Sequence, residues 1–171
     1  MTTLLNRNLG HLAWQSGRKC STILEKSPTR VEDTIGQSAT HEELKIIIAD
    51  DHELTRESTR SMLESVACEP PLQILAEAKD GQEVIELCRL QPPDLVLMDV
   101  GMPKVNGFEA THTIKAELPT TKVLMVSAHF DPFLASEVER AGADGYMTKL
   151  CTVQELVDAT RGVLRGESQY P

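Results

Sequence analysis

Short apolar runs closed by polar residues punctuate the chain between Lys45 and Lys149. Ile46-Ile47-Ile48-Ala49 ends on Asp50-Asp51, and Leu95-Val96-Leu97-Met98 ends on Asp99 with Gly101 and Pro103 close behind. Lys122-Val123-Leu124-Met125-Val126 runs into Ser127-Ala128, while Gln73-Ile74-Leu75-Ala76-Glu77 and Gly145-Tyr146-Met147 are shorter versions of the same texture. Runs of this length and composition read as buried strands. The stretches between them change period. Thr55, Thr59, Met62, Leu63 and Val66 fall at helical spacing and predict a helix that Pro70-Pro71 stops. Asp80 with Glu83 three places on opens a second helix through about Leu90. Asn106 or Gly107 opens a third, with Phe108, Thr111, Ile114 and Leu118 on one face, before Pro119. Asp131-Pro132 caps a fourth, lined by Leu134, Val138 and Ala141, and Gly142 ends it. Thr152 with Glu155 boxes the start of a fifth, carrying Val153, Leu156, Val157, Thr160 and Leu164 inward. Strand and helix alternate throughout. That alternation predicts an α/β domain, a parallel sheet covered on both faces by right-handed crossovers.

Residues 1–43 show no sustained period and are rich in Gly, Ser, Thr and Asn, so they read as a flexible extension ahead of the domain at 44–167. Residues 168–171 read as the start of a linker or a tail. The extension is basic and then acidic: five Lys and Arg face one acid in residues 1–30, against twelve facing twenty-five in the remainder. An acidic body lacks the Lys and Arg clusters that phosphate contacts need, so no nucleic acid is expected on this chain itself. No apolar run reaches the length of a membrane span. Cys20, Cys68, Cys88 and Cys151 are scattered and form no metal-binding or disulfide pattern. A reduced, cytoplasmic protein with no membrane contact is the expectation.

Chemistry enters through the strand ends. In a parallel sheet the polar residues that close the runs share one edge, so Asp50-Asp51, Asp99, Ser127 and Lys149 converge there. Any one acid after a strand is ordinarily a solvated turn residue; such a set is harder to dismiss. Carboxylates about 4 Å apart repel by roughly 4 kcal/mol per pair at an effective dielectric near 20. Such a cluster holds protons or a cation, and hard oxygen donors with open positions suit Mg²⁺. Beside a metal, Asp99 can serve as a phosphoryl-accepting nucleophile. Lys149 would then meet the phosphoryl charge and Ser127 would donate to an oxygen, which are the parts phosphoryl transfer requires.

These residues resemble a known family. Asp50-Asp51, Asp99 with Met102-Pro103 and Gly107, Ser127-Ala128, and Ala141-Gly142-Ala143-Asp144-Gly145-Tyr146 followed by Lys149 are similar to the receiver domain of bacterial two-component response regulators. The resemblance covers about residues 44–167. Asp-Asp-His-Glu-Leu and Gly-Ala-Asp-Gly-Tyr look most like the subgroup that usually carries a C-terminal LuxR-type helix-turn-helix. It implies a flavodoxin-like doubly wound α/β fold: a five-stranded parallel sheet in the order 2-1-3-4-5 with five helices. Asp99 is then the phospho-acceptor. Asp50, Asp51, Asp99 and the backbone carbonyl of Gly101 hold Mg²⁺, and Ser127 and Lys149 bind the phosphoryl oxygens. Ser127 and Tyr146 act as the switch, Tyr146 turning inward on phosphorylation. The implied partner is a histidine kinase or phosphotransfer protein, with a homodimer on phosphorylation within the subgroup's habits. Such a domain is a switch and not an enzyme on external substrates.

Two departures matter. Leu150 follows Lys149 where many receivers have a proline after a cis bond, so a trans bond and an apolar spot at Leu150-Cys151 are expected. No helix-turn-helix follows Gly166, so an output domain is expected outside this chain, or none at all. Two rivals stand beside the receiver reading. An aspartate-nucleophile phosphohydrolase would carry a second acid two residues past its nucleophile, but that position is Gly101. A degenerate receiver kept only for protein contacts would have lost reactive positions, yet all are filled. His11, His41, His52 and His112 show no ligand spacing and are expected exposed or satisfied, His52 at a position that commonly packs in the subgroup, and His129, two residues after Ser127, is expected in a loop or near the phosphoryl group.

Overall fold

The computed structural model describes residues 43–128 and 132–169. The first forty-two residues, and with them the expected extension, lie outside it, as do His129 and the Asp131 cap. Strands β1 (Leu44–Ala49), β2 (Leu72–Ala78), β3 (Leu95–Asp99), β4 (Lys122–Ser127) and β5 (Gly145–Thr148) alternate with five helices. These are α1 (Glu53–Glu64), α2 (Gly81–Leu90), α3 (Gly107–Glu117), α4 (Pro132–Ala141) and α5 (Val153–Leu164). The strands form one parallel sheet in the order β2-β1-β3-β4-β5. Fold class and strand order agree with the sequence reading.

Successive residues of a strand face opposite sides of the sheet, so each apolar run builds two cores at once. Ile46, Ile48, Leu95, Leu97 and Leu124 face Leu63 of α1 and Leu156, Val157 and Val163 of α5. Ile47, Ala49, Val96, Met98, Val123 and Met125 face Val84 and Ile85 of α2, Ala110 and Ile114 of α3, and Val138 of α4. An unbroken hydrophobic run is what a strand buried on both faces requires.

The caps explain most helix starts. Asp80 accepts from the Glu83 amide at 2.9 Å, and the Glu83 carboxylate reaches back to the Lys79 amide at 2.9 Å, one residue before the cap itself. Asn106 accepts from the Glu109 amide at 2.9 Å. Thr152 and Glu155 form the full reciprocal box. Helix α1 departs from expectation by ending at Glu64, well before Pro70. The Ser65 amide bonds the Ser61 carbonyl and its hydroxyl bonds the Met62 carbonyl at 2.8 Å, closing the helix there.

At the chain's far end, Gln169 forms a parallel bridge with Gly145, and its carbonyl accepts from the Tyr146 amide at 2.6 Å. Two glycines make the seat. A Cβ on Gly162 would stand 2.5 Å from the side-chain Nε2 of Gln169, and one on Gly145 would stand 2.9 Å from the Gln169 main-chain carbonyl oxygen. Among the described residues, no helix is long and apolar enough to cross a membrane.

Candidate phosphoryl-transfer site

Register carries the polar residues to one edge. Ala49 pairs with Met98, Asp99 with Val126, and Ser127 with Thr148, so the next residues emerge side by side. Asp50, Asp99 and Ser127 are nearly buried, at 4%, 6% and 7% exposure. Lys149 sits between the two acids: its Nζ lies 2.5 Å from Asp50 Oδ2 and 3.1 Å from Asp99 Oδ1. The Lys149 amide also donates to the Ser127 carbonyl at 2.7 Å, fixing the loop against the end of β4.

Burial dominates the electrostatics at Asp99. Loss of water pushes its carboxyl above the usual carboxylate range, and the Asp50 charge adds to that, against the opposing hydrogen bonds from Lys149 and the Gly101 amide. Burial also works against the Lys149 ammonium, but its hydrogen bonds to Asp50 and Asp99 outweigh it and hold the amine above its ordinary value. The one ammonium of Lys149 does not balance the carboxylates of Asp50, Asp51 and Asp99, and those three residues offer hard oxygen donors beside the nitrogen of His52. That donor chemistry fits a small divalent cation such as Mg²⁺. One ligand atom each from Asp50, Asp51 and His52 lies within 4.8 Å of the others, whereas Asp99 joins them through Lys149.

His52 is the first surprise. Its side chain is 73% exposed, not packed, and Nδ1 lies 2.7 Å from Asp51 Oδ1. Its amide donates to Asp50 Oδ1 at 2.9 Å. Adjacency to the acidic pair was the available signal. The second is Arg56, which donates through Nη1 to the Asp50 carbonyl at 2.8 Å and through Nε to Glu77 at 3.1 Å. An arginine on the first turn of a helix has no pattern that marks it in a single sequence.

The other expected residues fall as follows. Gly101 is exposed beside Asp99 in the loop between β3 and α3. Tyr146 is already inside, at 1% exposure, in the core shared with Val123, Met125 and Val138. Leu150 is 87% exposed and Cys151 partly buried. The Lys149–Leu150 peptide is trans, the cis bond among the described residues being Glu69–Pro70.

The loop after Asp99 is fitted closely to its surroundings. Lys104 holds φ 64°, a left-handed conformation uncommon outside glycine, while its Nζ pairs with the buried Asp80. Gly107 lets α3 begin directly against the site, because a Cβ there would lie 2.1 Å from the Asp99 carbonyl oxygen. Gly107→Ala is therefore expected to lose about 2 kcal/mol of stability by overpacking. Urea unfolding measures the loss.

Residues 46–161 match the family model of the response regulator receiver domain. The chain is 36% identical over 132 residues to the transcriptional regulatory protein DegU of Brevibacillus brevis, covering 77% of this chain and 55% of that protein. It is 36% identical over 124 residues to the response regulator UvrY of Escherichia coli, covering 72% and 56% respectively. Among solved structures, a LuxR-family two-component response regulator from an Aurantimonas species superposes with a TM-score of 0.69 at 32% identity. That match covers 75% of this chain and 89% of the other. The chain thus spans little more than half the length of the curated relatives it matches.

Proposed function

Since the chain belongs to the response regulator receiver-domain family of two-component systems, we propose that Asp99 accepts a phosphoryl group from a histidine kinase or phosphotransfer protein and that the acceptance switches a protein-contact face. The observation that carries this reading is Lys149 lying between Asp50 and Asp99 at the carboxyl edge of the sheet. A carboxylate oxygen of Asp99 bonds to the phosphorus as the donor's bond to it breaks, and the leaving group departs on the far side. Asp50, Asp51, Asp99 and the Gly101 carbonyl would hold Mg²⁺, which when bound offsets charge on the phosphoryl oxygens.

The chain's own groups do the remainder. Lys149 exchanges its Asp99 contact for a phosphoryl oxygen, keeping the added charge paired. Ser127, one residue beyond the β3–β4 pairing, donates its hydroxyl to a second oxygen. Tyr146 is two residues along β5 from Thr148, the partner of Ser127, so movement at Ser127 is felt by the core around the tyrosine. The reading places the protein in the cytoplasm, with phosphorylation favouring contact with a second copy of the chain.

The test is incubation with acetyl phosphate and Mg²⁺, followed by intact mass. A gain of one phosphoryl group per chain is expected, and no gain when Mg²⁺ is chelated beforehand. No adduct, together with no binding of beryllofluoride in Mg²⁺, would overturn the proposal in favour of an interaction module that has lost its chemistry.

A further inference from the structure

We infer that Arg56 is a positioning residue for the acidic pair, clamped by Glu77 of the neighbouring strand so that its guanidinium fixes the backbone of Asp50. The inference rests on the acidic-pocket reading above and deepens it.

Asp50 follows the last ladder residue of β1, so its main-chain carbonyl has left the sheet and is nearly buried with the rest of the residue. A buried carbonyl without a donor is costly, and Arg56 Nη1 supplies the donor at 2.8 Å. The Asp50 amide bonds the Ala78 carbonyl at 3.0 Å. Its carboxylate takes the His52 amide on Oδ1 and Lys149 on Oδ2. Every polar atom of Asp50 thereby has a partner: Ala78 of β2 holds its amide, and Arg56 is the one side chain among those partners that is itself anchored on that strand.

That anchor is specific. Glu77 accepts from Arg56 Nε at 3.1 Å on one oxygen and from Arg60 Nε at 2.7 Å on the other. Burial opposes the Glu77 charge, but the hydrogen bonds of Arg60 and then Arg56 prevail, and the carboxyl is held below its usual range. The Arg56 side chain is only 14% exposed. A planar guanidinium delivers two hydrogen bonds at a fixed angle, one to the carbonyl and one to the carboxylate; an ammonium lacks that geometry. Arg56 with Glu77 carries no net charge, so the pair acts on the pocket through position and not through added positive charge.

The experiment is Mg²⁺ titration by calorimetry on the full chain, with amide exchange at Asp51 and His52 recorded without metal. Arg56→Lys keeps the charge and loses the fork; it should weaken Mg²⁺ binding about tenfold, the scale for partners that orient metal ligands, and speed exchange at both amides. Glu77→Gln should do the same. Arg60→Met touches the same carboxylate but not Asp50, and should stay within about twofold of wild type, as a half-exposed ion pair would. Arg56→Lys binding Mg²⁺ like wild type would overturn the inference, as would Arg60→Met weakening it equally. A wild type that binds no Mg²⁺ would instead remove the acidic-pocket reading and this inference with it.

Discussion

Asp99→Asn should take up no phosphoryl group under conditions in which the wild-type chain gains one. The substitution replaces a carboxylate nucleophile by a neutral amide of the same size, so the loop and Gly107 contacts keep their shape while the reacting oxygen loses its charge. Stability should move the other way. Burial raises the Asp99 carboxyl, so the folded chain holds that proton more tightly than the unfolded chain does. Where the unfolded state binds fewer protons than the folded one, stability falls as pH rises. For Asp99 that window begins at the ordinary aspartate range and extends upward. At neutral pH the variant should therefore unfold at higher urea than wild type, and the advantage should fade as pH is lowered through the ordinary aspartate value. Uptake persisting in Asp99→Asn would move the acceptor to Asp50 or Asp51. An unfolding midpoint below wild type at pH 7 would mean that pairing with Lys149 outweighs the burial penalty.

Lys149→Met should cost the metal-free fold about 2 kcal/mol at neutral pH. Removing one partner of a buried pair typically costs more, but the lysine is 20% exposed and part of the field is screened by water. Asp50 and Asp99 then face each other with no cation between them. The amine itself, held above its ordinary value, contributes fully below the ordinary lysine pKa and loses its contribution only as pH rises beyond it. Neutral pH is thus a fair place to read the loss. Mg²⁺ should restore more stability to the variant than it adds to wild type, because the ion no longer competes with an ammonium for the same oxygens. Urea unfolding with and without Mg²⁺ measures both. An equal Mg²⁺ response in the two proteins would show that Lys149 and the metal answer different charges.

Much of the architecture was legible because strands buried on both faces leave unbroken apolar runs, and each run here ends on its polar residue. Asp50, Asp99, Ser127 and Lys149 could be placed on one edge from that alone. What escaped was whatever depends on side-chain reach between elements. Arg56 spans from α1 to the Asp50 backbone and to Glu77, and nothing in its local sequence separates it from a solvated helix arginine. His52, at a position that commonly packs in the subgroup, lies open with its ring against Asp51, a partner that no spacing marks because one rotation decides the matter. Helix α1 stops at Glu64 because a serine closes it locally, where the downstream prolines are only the last place at which it could end. Lys104 in a left-handed conformation is likewise invisible, being justified by Asp80 a whole crossover away.

The Gln169 bridge has a consequence for how the folded chain behaves at high concentration. A sheet of this kind has two outer strands, and each presents unpaired amides and carbonyls to any other strand that comes alongside. On β5 the Tyr146 amide is already taken by the Gln169 carbonyl, and the strand is only four residues long. Gly145 gives the backbone of that short strap a seat that a Cβ would crowd, and Gly162 leaves room for the Gln169 side chain. The rim nearest Tyr146 is therefore blunted against edge-to-edge pairing, a guard against aggregation built from the chain itself.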